Sequence, residues 1–313
     1  MKERSWRERG PLDIPLTLSP HSHGGGDPVW RRTADGDFWR VCRTPDGPGT
    51  LRIRPRPAEG AVHGEAYGPG ADWLLETMPA LLGAEDDVTE FHDMLKRVVA
   101  VGGSGGPRHG LIREAAARHA GLRIGRTGRL FEALAPAILE QKVVGQEAWR
   151  AWRHLLRRYG EVAPGPAPEG MRVPPAPEVW RTIPSWEWHR AGAEAVRGRT
   201  IITAARVAAK LEAAGNRDAD RLLRALPGIG VWTSAETRQR AHGDPDAVSV
   251  GDYHLSSLVG WVLIGRKVDD DGMLELLEPF RGQRYRVTRL IELTGLRPPA
   301  RGPRMAPRDY RSI

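Results

Sequence analysis

The chain has 313 residues, 40% of them hydrophobic, a formal net charge of +8 and a single cysteine. That is enough chain for two domains and enough apolar content for a packed core. One cysteine, Cys42, excludes an internal disulfide and a four-cysteine iron–sulfur cluster, and no apolar run reaches the ~18 residues a membrane helix needs. The segment Met1 to Gly10 is charged and lacks the apolar core of a secretory signal. Arginine far outnumbers lysine. The basic balance favours a polyanionic partner, although an Arg-rich composition alone is modest support for one.

In chain order, residues 11–67 read as strands. Ile14, Leu16 and Leu18 alternate with polar or proline positions. Phe38 to Cys42 and Leu51 to Arg54 follow, divided by Asp-Gly turns, and His63 to Tyr67 supplies one more strand. Ala71 to Leu82 and Thr89 to Val99 read as helices, so this part is a small α+β unit. Gly102 to Pro107 is a flexible joint. It divides an N-terminal unit, residues 1–106, from a helical region, 107–296. Residues 297–313 form a Pro- and Arg-rich tail expected to be disordered.

The helical region begins at Leu111 to Ala120. Leu130 to Tyr159 is its best amphipathic stretch, with Phe131, Leu134, Ala135, Ile138 and Leu139 on one face. The pattern slips at Gln141 to Gly145 and resumes at Trp149, which predicts two helices with a break between them. Val162 to Glu178 is Pro-rich and irregular. In the Trp-rich stretch Thr182 to Arg197, Trp186 is expected in the core, and His189 and Arg190 at a pocket or a polyanion. Thr203 to Ala225 and Val231 to His242 are helix-compatible, as is Leu255 to Ile264. Another helix is expected to start at Leu274 to Leu277.

The most informative stretch lies between two of these helices. Leu226-Pro-Gly-Ile-Gly230 is a tight turn whose glycines, Gly228 and Gly230, remove Cβ where the backbone bends. Its bare N–H groups meet the start of the next helix, which suits a phosphate. About one helix later comes an acid in a polar turn, Asp252, between Gly251 and Tyr253. Helix, Pro-Gly-Ile-Gly turn, helix, and then a Gly-Asp-Tyr-His-Leu turn resembles the helix-hairpin-helix superfamily of DNA glycosylases. Within it, the likeness is to the branch that removes alkylated bases such as 3-methyladenine. It covers most of residues 111–295.

The resemblance implies an α+β fold, with a mainly helical glycosylase core and an N-terminal antiparallel sheet. It implies Asp252 as the catalytic residue and a base pocket at Trp232, Tyr253 and Glu236. Glu236 departs from relatives that place an aromatic residue there. DNA contacts are implied at Pro227, Gly228, Ile229 and Gly230 of the hairpin, at Gln141 and the wedge position Lys142 in the helix break, and at Arg284 in the C-terminal segment. Lyase members carry a Lys where this chain has Trp232, so a monofunctional enzyme is expected. No organic cofactor or catalytic metal is implied; the resemblance admits a monovalent cation at the hairpin carbonyls. The expected partner is double-stranded DNA with damaged bases, met by a monomer in the cytoplasm at the nucleoid. Two rival functions stand beside this one: excision of another lesion, such as hypoxanthine or uracil, and non-catalytic binding of a DNA structure.

Other signals are discounted. Asp244 and Asp246 are read as shaping the turn before the Asp252 loop. His21 and His23, in a Gly-rich loop with no third ligand, are read as solvent-exposed rather than metal-binding. The Gly-rich stretches lack the Lys-Ser/Thr ending of a phosphate-binding loop.

Overall fold

The computed structural model describes residues 1–8, 10–101 and 106–299. Most of the glycine joint and the end of the basic tail lie outside these residues. Five antiparallel strands form the N-terminal sheet: β1 (Lys2–Trp6), β2 (Trp30–Arg32), β3 (Phe38–Thr44), β4 (Gly47–Arg56) and β5 (Ala61–Tyr67), in the order β1-β5-β4-β3-β2. Register follows alternation. Phe38 faces Ile53, and Arg40 faces Leu51, which faces Ala66, so these side chains share one side of the sheet. The helix Ala71–Leu81 lies on that side. Gly64 makes the close approach possible, since a Cβ there would meet the Met78 sulfur at 2.6 Å. Apart from a two-stranded antiparallel ribbon, Glu161–Val162 with Arg172–Val173, the regular elements of the rest of the described chain are helices, which makes the fold α+β.

Several elements differ from the sequence reading. Ile14–Leu18 is a helix, not a strand. The Asp13 carboxylate accepts from the Leu16 N–H at 2.9 Å and Pro15 sits in the first turn, a start signal that outweighs three alternating apolar residues. β1, hidden in a charged segment, is an edge strand. The run Thr203 to Ala225 is divided among the helices Ala195–Arg206, Ala208–Glu212 and Asn216–Arg224. Leu277 ends the helix Asp270–Leu277 rather than starting one, and Asp269 caps it. Trp186 is 52% exposed beneath the Arg190 guanidinium, while Trp188, Trp180 and Trp152 form a buried stack.

Two apolar cores result. The first joins the sheet and the helix Ala71–Leu81 to the helices Leu130–Leu139, Gly145–Tyr159 and Ala195–Arg206, and reaches Ile229 in the hairpin. At its centre is Leu130–Leu139, which buries nine of its ten residues; a helix apolar all round has to be surrounded. Its first turn is satisfied from outside: the Glu212 carboxylate accepts from the Leu130 and Phe131 N–H groups at 2.9 and 3.0 Å. Arg40, fully buried in the sheet, reaches Glu132 of the same helix at 3.2 Å. The second core joins Phe91, Leu95 and Ile112 to Leu258, Val259, Met273, Phe280 and Ile291. Phe91 and Leu95 precede the expected joint, so the apolar cores do not divide at residue 106.

His21 and His23 are buried, at 4% and 6% exposure, and not in solvent. His21 stacks on Trp30 with ring centroids 5.2 Å apart. Burial, and then the Arg240 and Arg40 guanidinium groups, push its pKa well below the ordinary 6.5. A group whose folded pKa is depressed in this way binds its proton more readily when unfolded. Its neutral-state contribution is complete above pH 6.5 and is lost as pH falls below that value, by up to about 1.4 kcal/mol per pH unit for this one group. The melting temperature of the parent should therefore fall between pH 7.5 and 5.5. In His21→Phe, which keeps the stack on Trp30, the fall should be shallower by this amount; equal slopes for both proteins would remove His21 from the account.

Candidate functional site

The hairpin joins Asn216–Arg224 to the helix Val231–Ala241 through Leu226–Gly230. The Ile229 N–H donates to the Leu226 carbonyl at 3.1 Å, and Ile229 is buried as the anchor of the turn. Pro227, Gly228 and Gly230 remain exposed. The two glycines do different work. Gly228 has φ +86°, and a Cβ there would meet the Thr200 hydroxyl at 2.5 Å. Gly230 has an extended backbone and open space about it, and it begins a helix that no side chain caps among the described residues. The bare first-turn N–H groups and the helix dipole point outward at an exposed surface, which is the geometry that receives an anion.

The break between Leu130–Leu139 and Gly145–Tyr159 packs against this turn. Gln141 does not project away from the protein. Its amide nitrogen donates to the Gly228 carbonyl at 2.9 Å and to the Thr233 hydroxyl at 2.8 Å, and its own carbonyl accepts from Arg197 at 2.7 Å. It is a clamp between hairpin, break and the helix Ala195–Arg206. Arg197, at 4% exposure, was invisible to sequence reasoning because an arginine in a helix carries no sign of a buried partner. Lys142, next in the chain, is exposed with φ 55°, the one non-glycine residue with positive φ among those described. Such a backbone costs roughly 1–2 kcal/mol and places the side chain at the tip of the break.

Beyond Ala241 the chain crosses from the first core to the second, and Asp252 lies on this crossing. One oxygen, Oδ1, accepts from the His254 and Leu255 N–H groups at 2.8 and 3.0 Å and so caps the helix Leu255–Ile264. The other, Oδ2, accepts a long hydrogen bond from the Trp232 indole at 3.4 Å. One turn along the hairpin helix, Glu236 accepts from the Ser249 hydroxyl and pairs with Arg240 at 2.6 Å. Gln239 donates to the Ala247 carbonyl at 2.7 Å and to the Ser249 hydroxyl at 2.9 Å. The Ser249 carbonyl in turn accepts from the Asp252 N–H at 3.1 Å. Successive turns of one helix thus grip both ends of the Asp252 turn. Ser249 and Gln239 were missed because their role exists only across the fold.

Three placements correct the sequence reading. Tyr253 is 82% exposed and lies edge-on to His254, with ring centroids 4.8 Å apart, rather than enclosed in a pocket. Glu236 is engaged by Ser249 and Arg240, although 15% of its side chain stays open. Arg284 is not free for a phosphate: it forms a two-pronged pair with Asp246 at 2.7 and 2.5 Å, and Asp246 also takes the Gly282 N–H. Asp246 is therefore a bolt for the C-terminal helix Arg284–Leu293, while Asp244 does shape the turn by accepting from the Asp246 N–H at 2.9 Å. A cavity of about 420 Å³ lies elsewhere, between Phe131, Trp180, Ala205 and Glu212, and none of the expected site residues lines it.

The two hairpin glycines give a test of this geometry. Gly228→Ala should lose about 1–3 kcal/mol of stability, because positive φ and the Thr200 contact both oppose a methyl group. Gly230→Ala should stay within about 0.5 kcal/mol of the parent. Denaturant melts of the two variants check the contrast, and equal losses would contradict it.

No protein-family model matches the chain, and no curated protein matches it in sequence. Solved structures match in fold. A 3-methyladenine DNA-glycosylase from Archaeoglobus fulgidus superposes with a TM-score of 0.75 at 15% identity, over 93% of this chain and 98% of that one. The Clostridium acetobutylicum 8-oxoguanine glycosylase/lyase, in complex with double-stranded DNA containing cytosine opposite 8-oxoguanine, superposes with a TM-score of 0.67 at 10% identity, over 90% and 91% of the two chains. Its apo form gives 0.67 at 11% identity, over 90% and 93%. With the hairpin, the acid-bearing turn and the N-terminal sheet all in place, the chain has the fold of the helix-hairpin-helix DNA glycosylases.

Proposed function

We propose that this protein is a DNA glycosylase that removes alkylated purines such as 3-methyladenine from double-stranded DNA and leaves the abasic site uncut. The observation that carries the reading is the contact of Trp232 with Asp252 beside an uncapped hairpin helix. The hairpin holds a phosphate of the damaged strand through backbone N–H groups, which positions the duplex without reading its sequence. Lys142, at the tip of the adjoining break, presents its stem to the space left by the extruded nucleotide. The nucleotide leaves the stack so that C1′ is reachable.

Breaking the glycosidic bond develops positive charge on the sugar. Asp252 Oδ2, spared from capping, stabilises that charge, and Trp232 offers its ring face to a cationic base. An alkylated purine already carries the charge that makes it a good leaving group, so no strong general acid is required. The reading has the protein act as a monomer, in the cytoplasm at the nucleoid. Among the described residues no helix is long and apolar enough to cross a membrane. A monovalent cation at the hairpin would have to share its carbonyls, since those of Leu226 and Gly228 already accept from Ile229 and Gln141. Excision of another lesion is the competing reading, and Glu236 favours keeping it in the test.

Asp252→Asn keeps an acceptor for the His254 and Leu255 N–H groups and removes the charge. Single-turnover excision of 3-methyladenine should fall by ~10²–10³, about 3–4 kcal/mol, while stability holds and duplex affinity is equal or better. The parent should be run against hypoxanthine- and uracil-containing duplexes in the same assay. An active parent whose Asn variant excises within a few-fold of it would refute the mechanism, and a parent inactive on every lesion would leave the binding reading.

The absence of an amine at residue 232 supports the uncut product, because lyase chemistry passes through a Schiff base. Borohydride should trap no covalent protein–DNA adduct during turnover. A trapped adduct would overturn the monofunctional assignment and direct attention to Lys142.

A further inference from the structure

The cavity of about 420 Å³ between Phe131, Trp180, Ala205 and Glu212 lies outside the site described above. Protein interiors keep few voids larger than a water molecule, so a space of this size needs a cause. Alanines leave it open: Ala135, Ala205, Ala208 and Ala209 line it where larger side chains would close it. Its apolar walls are fixed. Trp180 lies between Trp152 and Trp188, with ring centroids at 6.3 and 5.9 Å. Pro174 and Pro175 supply another wall, and the Pro174 carbonyl accepts from Arg43 Nε at 3.1 Å. Proline has no side-chain freedom to lose, so this wall is set before anything binds. The charges on the lining are unequally committed. Glu212 accepts from the Leu130 and Phe131 N–H groups, and Glu132 from Arg40 and the Arg43 N–H. Glu178 lies in the first turn of the helix Pro177–Thr182, where the helix dipole offsets its charge. Arg181 and Arg206 also line the cavity. Both are exposed, and neither guanidinium has an ion pair or hydrogen bond among the described residues. Arg129 faces Glu212 at 3.5 Å, and its Nε is buried without an acceptor among those residues. The uncommitted charge at this cavity is therefore positive.

We propose that this cavity binds a small aromatic carboxylate, with its ring against the Trp180 and proline walls and its acid group at the open side with Arg181 and Arg206. A preformed apolar pocket with a few convergent polar groups is the usual form of a small-molecule site. The flat walls suit a ring, and burying it supplies most of the affinity. A neutral ligand leaves the two guanidinium groups unused, and a cationic one is repelled by them. The lining takes in the start of the helix Leu130–Leu139, the end remote from Gln141. An occupant here does not compete with DNA at the hairpin, and the proposal stands or falls apart from the excision reading.

Isothermal titration of the full chain with 2-naphthoate and with its neutral analogue 2-naphthamide tests this. The carboxylate should bind once per chain with a Kd on the order of 0.1 mM, as a ligand of that size allows, and about fivefold more tightly than the amide. Salt at about 1 M should shrink that ratio, because the two guanidinium groups are exposed. Ala209→Phe places a ring on the lining from an exposed helical position, so the fold tolerates it, and it should abolish binding of both compounds. Arg181→Gln combined with Arg206→Gln should leave the amide unchanged and bring the carboxylate down to the amide's affinity. A parent that binds neither compound, or binds them equally, overturns the proposal. So does a carboxylate that still binds Ala209→Phe, which places it elsewhere on the chain, or a double Gln variant that keeps the parent's ratio.

Discussion

The helix Val231–Ala241 is the member on which the arrangement depends. It packs against Leu130–Leu139, the most buried helix of the first core, and the opposite reach of its side chains holds the loop that leads into the second. Trp232, Glu236 and Gln239 recur at helical spacing and meet Asp252 and Ser249 in turn. Because both cores are close-packed, neither can shift without moving one end of this loop. Asp252 thus inherits its position from two separate bodies of apolar packing, and the hairpin that would hold the DNA opens the same helix.

The glycines of the hairpin, the Asp252 turn and the break at Gln141 were legible because each depends on local chemistry: absent Cβ atoms, an acid in a polar turn, a slip in helical period. The long strands and most helices were legible for the same reason. What was hidden is of one kind. Asp246 and Arg284 lie 38 residues apart in the chain, and only the fold brings them together. An arginine near a C-terminus looks the same in sequence whether it meets a phosphate or a carboxylate. His21 and His23 gave no sign of burial because the stack on Trp30 and the contact with Glu140 are contacts across the fold. The error at Ile14–Leu18 is different: the signal, Asp13 followed by Pro15, was present, and short alternation competed with it.

The internal use of arginine also changes how the net charge is to be understood. Arg238 pairs with Asp244, Arg240 with Glu236, Arg284 with Asp246 and Arg286 with Asp86, all partly or wholly buried. These pairs hold the fold around the site, and each is neutral, so they are already cancelled in the net charge of +8, whose excess lies on other residues. The face around the hairpin depends instead on groups that composition does not count: the uncapped N–H groups after Gly230 and the dipole behind them. Lys142 adds an exposed charge to the adjoining break.

In the proposed complex a carboxylate lies beside a polyanion, which is costly unless something fixes it there. Asp252 meets that demand by dividing its oxygens. Oδ1 takes two N–H groups at the start of a helix, where negative charge is favoured, and this interaction is present in the protein alone. Oδ2 has only the long contact with Trp232 and remains able to face a new positive charge. The helix Leu255–Ile264 therefore supports the acid through one atom so that the other can work. The same economy explains why the turn is gripped at Ser249: a cap fixes the carboxylate relative to its own helix, and the hairpin helix fixes it relative to the hairpin turn. Stability and the proposed chemistry draw on the same side chain without competing, because they use different oxygens.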